Sequence, residues 1–501
     1  MITLKNVSFA YALGEEENGL KNINLTVGDG EVVLLCGESG CGKTTLTRLI
    51  NGLIPHYYEG SLTGEVIIDG KEIHRLPLYE TARLVGSVFQ NPRSQFFNVD
   101  TTGELAFGGE NLGMPAEEIE ERIRRTVGEF NMDHLLERNL FQLSGGEKQK
   151  IACASVSVCE PEILVLDEPS SNLDMAAIED LRRLIRLWKS KGKTIVIAEH
   201  RLYFLRELWD RVIVMKKGCI EREYTPSQFN SLSGDALSGM GLRPLYLRSL
   251  KGKSATDHSS DEKVILNHFL HLYDRKGLPA LKIDMASVPR GGIIAVIGLN
   301  GAGKSTFARC LCGLEKRCKG TLSIDGRHLS SRQRLKRCYM VMQDVNHQLF
   351  TESVLDEVLL SMAGEDEDEE QAHAILNSLD LLSMKERHPH SLSGGQKQRT
   401  AIAGALASKR DIVLFDEPTS GLDLKHMKEV SQRLRELSRT GKTLFIISHD
   451  LELILWSCTH VLHLEKGTLL DSYPLDSPGV EKLKSFFIYP ESEADPVRYL
   501  T

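Results

Sequence analysis

The stretch CGESGCGKTTL, beginning at Cys36, returns in pattern as IGLNGAGKSTF, beginning at Ile297. Each contains a loop of the form GxxxxGK[ST], Gly37 to Thr44 and Gly298 to Ser305, set just after a short apolar run and just before a helical pattern. That strand, loop, helix context is what such a motif needs in order to hold phosphate. Glycines let successive backbone N–H groups turn inward around an anion, and the helix N-terminus adds partial positive charge at the same place. Candidate contacts in the first loop are Gly37, Glu38, Ser39, Gly40, Cys41, Gly42, Lys43, Thr44 and Thr45. In the second they are Gly298, Leu299, Asn300, Gly301, Ala302, Gly303, Lys304, Ser305 and Thr306. Lys43 and Lys304 would reach the β- and γ-phosphates of a nucleotide, and Thr44 and Ser305 would offer hydroxyls to Mg²⁺. One such loop could be an ordinary glycine-rich turn; two in register are not explained that way.

The rest of the chain is also written twice. Gly37 pairs with Gly298, Gln90 with Gln343, Gly145 with Gly394, Asp167 with Asp416 and His200 with His449, in unbroken order. The last three pairs share one spacing, and the earlier two differ from it only by small deletions. With 501 residues the chain exceeds what one hydrophobic core serves, so two domains are expected. Short apolar runs such as EVVLLCG, EILVLDEP and KTIVIAEH alternate with longer amphipathic segments, the pattern of a largely parallel sheet covered on both faces. The boundaries read as a domain over 1–235, a linker over 236–262 that is polar, basic and broken by Gly and Pro, a domain over 263–480 and a tail over 481–501. The acidic run GEDEDEE near Gly364 reads as a solvated loop or helix start.

Composition narrows the class. A formal charge of −8 argues against a broad nucleic-acid-binding surface. The ten cysteines form no CxxC pair and several lie in apolar runs, which suits reduced thiols rather than a disulfide frame or a zinc site. The opening MITLKNVSFAYAL has no secretory character, and the longest apolar runs fall far short of the ~20 residues needed to cross a bilayer. Work at a membrane therefore requires a separate membrane partner.

Two acids close an apolar strand in each half, Asp167 and Glu168 in ILVLDEP, Asp416 and Glu417 in IVLFDEP. Neighbouring residues at a strand end point different ways, so one carboxylate can hold a metal while the next faces an attacking water. Asp167 and Asp416 are assigned to Mg²⁺, Glu168 and Glu417 as general bases for attack on a γ-phosphate. LSGGEKQK and LSGGQKQR then place Ser144, Gly145 and Gly146, and Ser393, Gly394 and Gly395, ahead of alanine-rich helical segments. These are either plain N-caps or a second device for binding phosphate through a hydroxyl and exposed amides.

In this order, P-loop, LSGG, DEP and a later histidine, the chain resembles the nucleotide-binding domain of ATP-binding cassette (ABC) proteins over nearly its whole length. The resemblance implies an α/β P-loop NTPase fold in each half, a mainly parallel core with antiparallel β and helical subdomains. It implies that the halves pair head to tail, Lys43 sharing an ATP with Ser393, Gly394 and Gly395, and Lys304 sharing one with Ser144, Gly145 and Gly146. It further implies that His200 and His449 contact the γ-phosphate, that Gln90 and Gln343 link Mg²⁺ to the transport partner, and that Tyr11 and Tyr273 stack on adenine, core packing being the alternative for each tyrosine. Asp174 and Asp423 end segments that would cross the seam. Asn172 in place of Gly421, and Lys150 in place of Arg399, remove nothing that hydrolysis needs, so two competent sites are expected.

The segments QNPRSQFFNVDTTGELAFGGENLG from Gln90 and QDVNHQLFTESVLDEVLLS from Gln343 are similar to those of the ATPases of energy-coupling factor (ECF) transporters, importers of vitamins and transition-metal ions. Phe96 and Phe97 would then either belong to the core or line a groove for a coupling helix of a membrane subunit. This resemblance implies an ATPase at the cytoplasmic face of the cell membrane, peripheral, with ATP and Mg²⁺ as cofactors, partnered by a transmembrane component and a substrate-capture component. Two alternatives are a tandem ATPase of a sugar-type importer, whose second P-loop typically lacks the lysine that Lys304 supplies here, and an ABC ATPase acting on ribosomes, which generally has a longer, charged, helical linker.

Overall fold

The computed structural model describes residues 1–12, 19–252, 262–274, 277–362, 368–392 and 394–488. The chain divides into two compact units, one of residues 1–247 with 421–425, the other of 248–420 with 426–501.

In the first unit the apolar runs become a six-stranded sheet in the order Cys219–Tyr224, Arg211–Lys216, Val32–Cys36, Thr194–Ala198, Ile163–Asp167, Val85–Val88. All neighbours are parallel except the first pair, a hairpin. Val32–Cys36 and Thr194–Ala198 are buried at every position, as uniformly apolar strands covered on both faces must be. A separate antiparallel sheet runs Leu20–Val27, Ile2–Tyr11, Gly60–Ile68, Lys71–Glu72. Its strands alternate buried and exposed residues, so one face joins the core of Leu4, Phe9, Leu46 and Ile50. Helices Thr101–Asn111, Ala116–Phe130 and Gly145–Val158 form the helical part.

The second unit repeats this plan of sheets but joins them. Its two sheets are continuous, ten strands in the order Arg327–Leu329, Lys319–Ile324, Lys263–His271, Leu281–Pro289, Thr468–Pro474, His460–Glu465, Ile293–Ile297, Thr443–Ile447, Ile412–Asp416, Cys338–Val341. The join is the parallel pair Lys282 and Thr468, where Lys282 N–H donates to Gly467 O at 2.6 Å. The first unit makes the matching bond, Lys21 N–H to Gly218 O at 2.8 Å, without extending it into a paired strand. The expected α/β fold with mixed sheets is present in both units.

A short helix, Gly234–Gly239, runs into the stretch read as a linker, where the side chains of Leu237, Leu242, Arg243, Leu245 and Leu247 are buried. Residues 253–261, most of the acidic run near Gly364 and the last residues from 489 lie outside the described residues. The tail begins inside a helix, Ser477–Phe487, whose Leu483 and Phe487 are fully buried.

Phe307, on the helix Lys304–Cys312 that follows the second P-loop, is fully buried with its ring 5.9 Å from that of Phe445. Phe307→Ala should destabilise the second unit by about 3–5 kcal/mol, read as an earlier denaturant transition, with the first unit's transition unmoved.

Candidate active site

Each P-loop leaves a fully buried strand and enters a helix without any side-chain cap, Gly42 before Lys43–Ile50 and Gly303 before Lys304–Cys312. The first N–H groups of both helices therefore have no capping side chain and can take an anion. Gly37 and Gly298 have φ of 147° and 151°, and a Cβ on either would stand 2.3 Å from a carbonyl, of Met215 or Leu464. Only glycine fits there. Lys43 and Lys304 are buried, and Nζ donates to loop carbonyls: Gly37 O at 3.0 Å and Glu38 O at 3.2 Å, Gly298 O at 2.7 Å and Leu299 O at 3.1 Å. Beside Gly40 and Gly301 the space is open. A buried ammonium set on loop carbonyls beside an uncapped helix N-terminus is suited to a phosphate.

The hydroxyls that follow reach the strand-end aspartates. Thr44 Oγ1 donates to Asp167 Oδ1 at 3.1 Å and Ser305 Oγ to Asp416 Oδ2 at 3.5 Å. Burial, followed by the charge of Glu168, pushes the Asp167 carboxyl up to about 6, and burial raises Asp416 as well. A hydroxyl beside a carboxylate held in this way is a donor set suited to a hard dication, whose charge would restore ionisation.

Glu168 and Glu417 adopt left-handed backbone conformations, φ 45° and 51°, which non-glycine residues rarely hold. Glu168 N–H donates to Ala198 O at 2.8 Å and Glu417 N–H to Ile447 O at 2.9 Å, so the neighbouring strand fixes the turn in each unit. His200 Nε2 lies 3.1 Å from Glu168 Oε1, and His449 Nε2 3.4 Å from Glu417 Oε1. Burial opposes ionisation of Glu168, yet the imidazole of His200 and the ammonium of Lys43 hold its carboxyl below the ordinary range. Gln90 joins this group through Nε2, which donates to Glu168 Oε2 at 2.7 Å. Gln343 is exposed at the end of the matching strand in the second unit.

Tyr11 and Tyr273 are tied by their hydroxyls to the P-loop helix of their own unit, to Thr45 Oγ1 at 3.2 Å and Thr306 Oγ1 at 3.1 Å. Arg48 and Arg309 donate to the same two phenol oxygens. Tyr11 also packs edge-on against Phe9, whereas Tyr273 is 55% exposed. Ser144 caps the helix Gly145–Val158 in a capping box, Ser144 N–H donating to Glu147 Oε2 at 2.8 Å and Glu147 N–H to Ser144 Oγ at 3.3 Å. The serine oxygen accepts there, which leaves its own O–H proton to donate. Gly146 packs tightly, since a Cβ would stand 2.7 Å from Ala177 Cβ; Gly394 and Gly395 open the helix Gly394–Ala407 with space around them. Ser393 lies outside the described residues.

Several residues that shape the site went unremarked in the sequence. Glu147 is an acid where the second copy has Gln396, and the flanks of the histidine differ, Glu199 and Arg201 against Ser448 and Asp450. Another difference lies at the edge strand. In the first unit a cavity of about 360 Å³ is lined by Gly86, Gln95, Phe97, Phe107, Gly108 and Ser155 among others. Phe97 is 73% exposed at this cavity, its ring stacked on Phe107 at 4.8 Å. In the second unit Tyr339 stands at the position of Gly86, its phenol oxygen 3.3 Å from Ser361 Oγ and accepting from Gln348 Nε2 at 3.1 Å. A Cβ on Gly404 would come within 2.6 Å of that oxygen, so tyrosine fills the space the first unit leaves open.

The family described as "ABC transporter" matches residues 20–171 and 281–420. The chain belongs to this family. It thus carries two ABC ATPase domains, and members of the family hydrolyse ATP. A relative from Treponema denticola, named "Putative ABC transporter ATP-binding protein", is 46% identical, over 94% of this chain and 96% of its own. One of the same name from Methanosarcina mazei is 32% identical, over 98% and 90%. A model of ribosome-bound archaeal Pelota and ABCE1 contains a chain with a TM-score of 0.69 at 23% identity, covering 96% of this chain and 80% of that one; at such identity the likeness concerns the fold alone. Among the described residues no helix is long and apolar enough to cross a membrane.

The raised Asp167 carboxyl gives a stability test. Its folded value, about 6, lies above the ordinary 3.8, so the stability linked to its proton is complete below about 4 and is lost as pH rises through about 6. In chelator-treated protein, Asp167→Asn should become more stable than the parent across that interval, by about 3 kcal/mol at pH 7. Denaturant titration at several pH values measures the difference.

Proposed function

We propose that this chain is the ATP-hydrolysing subunit of a membrane importer of the ECF type, in which nucleotide turnover is transmitted through the segments that follow Gln90 and Gln343. The observation that carries the reading is the course of residues 90–97. At one end Gln90 holds Glu168 Oε2, and at the other Phe97 stands exposed at an apolar cavity. A short stretch of chain thus connects a carboxylate in the nucleotide site to a surface suited to a short apolar helix of an integral membrane partner.

In this reading Lys43 and Lys304, with the amides of their loops, bind the β- and γ-phosphates. Thr44 and Asp167 would hold Mg²⁺ in the first unit, Ser305 and Asp416 in the second, with Gln90 and Gln343 alongside, and the chemistry such an ion would supply is neutralisation of phosphate charge. Glu168, kept anionic by His200, orients and polarises the water that attacks in line, and Glu417 does so beside His449. His200, whose Nε2 lies 3.1 Å from Glu168 Oε1, stands on the γ-phosphate side of that carboxylate in this reading. Tyr11 and Tyr273 flank the adenine, and Ser144, Gly145, Gly146, Ser393, Gly394 and Gly395 supply the second set of phosphate donors. Loss of the γ-phosphate shifts the balance between conformations only by the difference in its contacts in each. Gln90, bonded to the same carboxylate, carries that difference to Phe97.

Lys43→Ala and Lys304→Ala should each weaken ATP binding at least about tenfold, as measured by calorimetry; an unchanged affinity removes the phosphate role. Gln90→Ala should reduce uptake by whole cells or vesicles by a larger factor than it reduces ATP hydrolysis. Purification of the tagged chain from membranes in detergent should bring down integral membrane proteins, and Phe97→Asp should lower that yield about tenfold. Ribosomal proteins in their place would overturn the importer reading.

A further inference from the structure

The geometry points to Glu199 as a positioning residue that sets His200 and the turn after Glu168 in the first unit, as one member of a matched trio with Ser170 and Arg201. Glu199 is 2% exposed, at the end of a central strand. Its Oε1 accepts from Ser170 N–H at 3.1 Å, and its Oε2 accepts from His200 N–H at 2.6 Å and Arg201 N–H at 3.0 Å. One buried carboxylate therefore joins the backbone of the histidine to that of the segment leaving Glu168. Arg201, also buried, closes the arrangement from the other side: Nη1 donates to Ser170 O at 3.0 Å and to Leu173 O at 3.2 Å. Both polar groups of the Ser170 backbone are thus held by side chains that flank His200.

A buried carboxylate is costly unless its oxygens are used, and here three N–H donors use them. The second unit solves the same problem with other atoms. Thr419 replaces Ser170, Ser448 replaces Glu199 and Asp450 replaces Arg201, all buried. Thr419 Oγ1 donates to Asp450 Oδ2 at 2.6 Å, and Asp450 N–H donates to Ser448 Oγ at 3.0 Å. The anion has moved from one side of the histidine to the other, and its partner on the turn has changed from a backbone N–H to a hydroxyl. The two sets do not mix: Ser at 199 would take the accepting carboxylate away from the N–H groups of Ser170, His200 and Arg201, and Asp at 201 beside Glu199 would bury two like charges.

This inference rests on the proposed roles of His200 and Glu168, and its tests separate the two. In the full chain carrying Glu417→Gln, Glu199→Gln replaces an acceptor oxygen with an NH₂ facing N–H donors. It should lower kcat about tenfold or more with KM for ATP little changed. Added to His200→Ala it should cost much less than it does alone, because it acts through that side chain. Glu199→Ser should be similarly impaired, and the set Ser170→Thr, Glu199→Ser, Arg201→Asp should return kcat to within about threefold of the parent, the residues having regained partners. Amide hydrogen exchange over residues 168–173 and 198–202 should quicken about tenfold in Glu199→Gln and recover in the triple variant. Unchanged exchange, losses that multiply with His200→Ala, or a triple variant no better than Glu199→Ser overturn the inference. If Glu168→Gln has no effect on turnover in the same background, the assignment of Glu168 as base fails instead, and the exchange result still decides the position of Glu199.

Discussion

A glutamate forced into a left-handed backbone directly after a buried aspartate is the constraint on which the rest of each unit depends. With Glu168 at φ 45° and Glu417 at 51°, the two adjacent carboxylates diverge, one toward the P-loop hydroxyl, the other toward histidine. Such a conformation costs of order 1–3 kcal/mol and persists where the surroundings over-determine it. Here the surroundings are a strand buried at every position but its last and a backbone bond from the glutamate N–H to the adjoining strand.

Around that shared element the halves have drifted in measured ways. Glu147 corresponds to Gln396 and Cys41 to Ala302, and the bracket round the histidine is Glu and Arg in one half, Ser and Asp in the other. Cys41 sits with Sγ 3.8 Å from Lys43 Nζ, and burial pushes its thiol up despite that ammonium, so it behaves as a small apolar residue in the loop. These changes leave the lysine, the metal-facing hydroxyl and the two acids in place in both units.

The sheets, the P-loops and the acid pairs were legible because each rests on a local rule. Val32–Cys36 is apolar at every position because both faces are covered, and Gly37 is glycine because a Cβ would meet Met215 O. The packing of Leu237, Leu242, Leu245 and Leu247 was not legible, since the glycines and proline among them break any spacing pattern and only their burial in the structure reveals it. Glu199 escaped notice for a related reason. A carboxylate that accepts backbone N–H groups from a distant turn leaves no spacing pattern, and its importance lies in where Ser170 comes to rest. The strand join at Lys282 was hidden too, because one hydrogen bond decides whether two sheets are continuous.

Gly86 and Tyr339 occupy the same register position on the edge strands of the two units, and one leaves a hole where the other supplies a plug. A duplicated chain starts with interchangeable halves, so any pair of similar binding segments could settle in either order. On the proposed function, a single glycine-to-tyrosine difference breaks that degeneracy: a bulky apolar side chain of a membrane partner has room in the first unit's cavity and meets tyrosine at the same register position in the second.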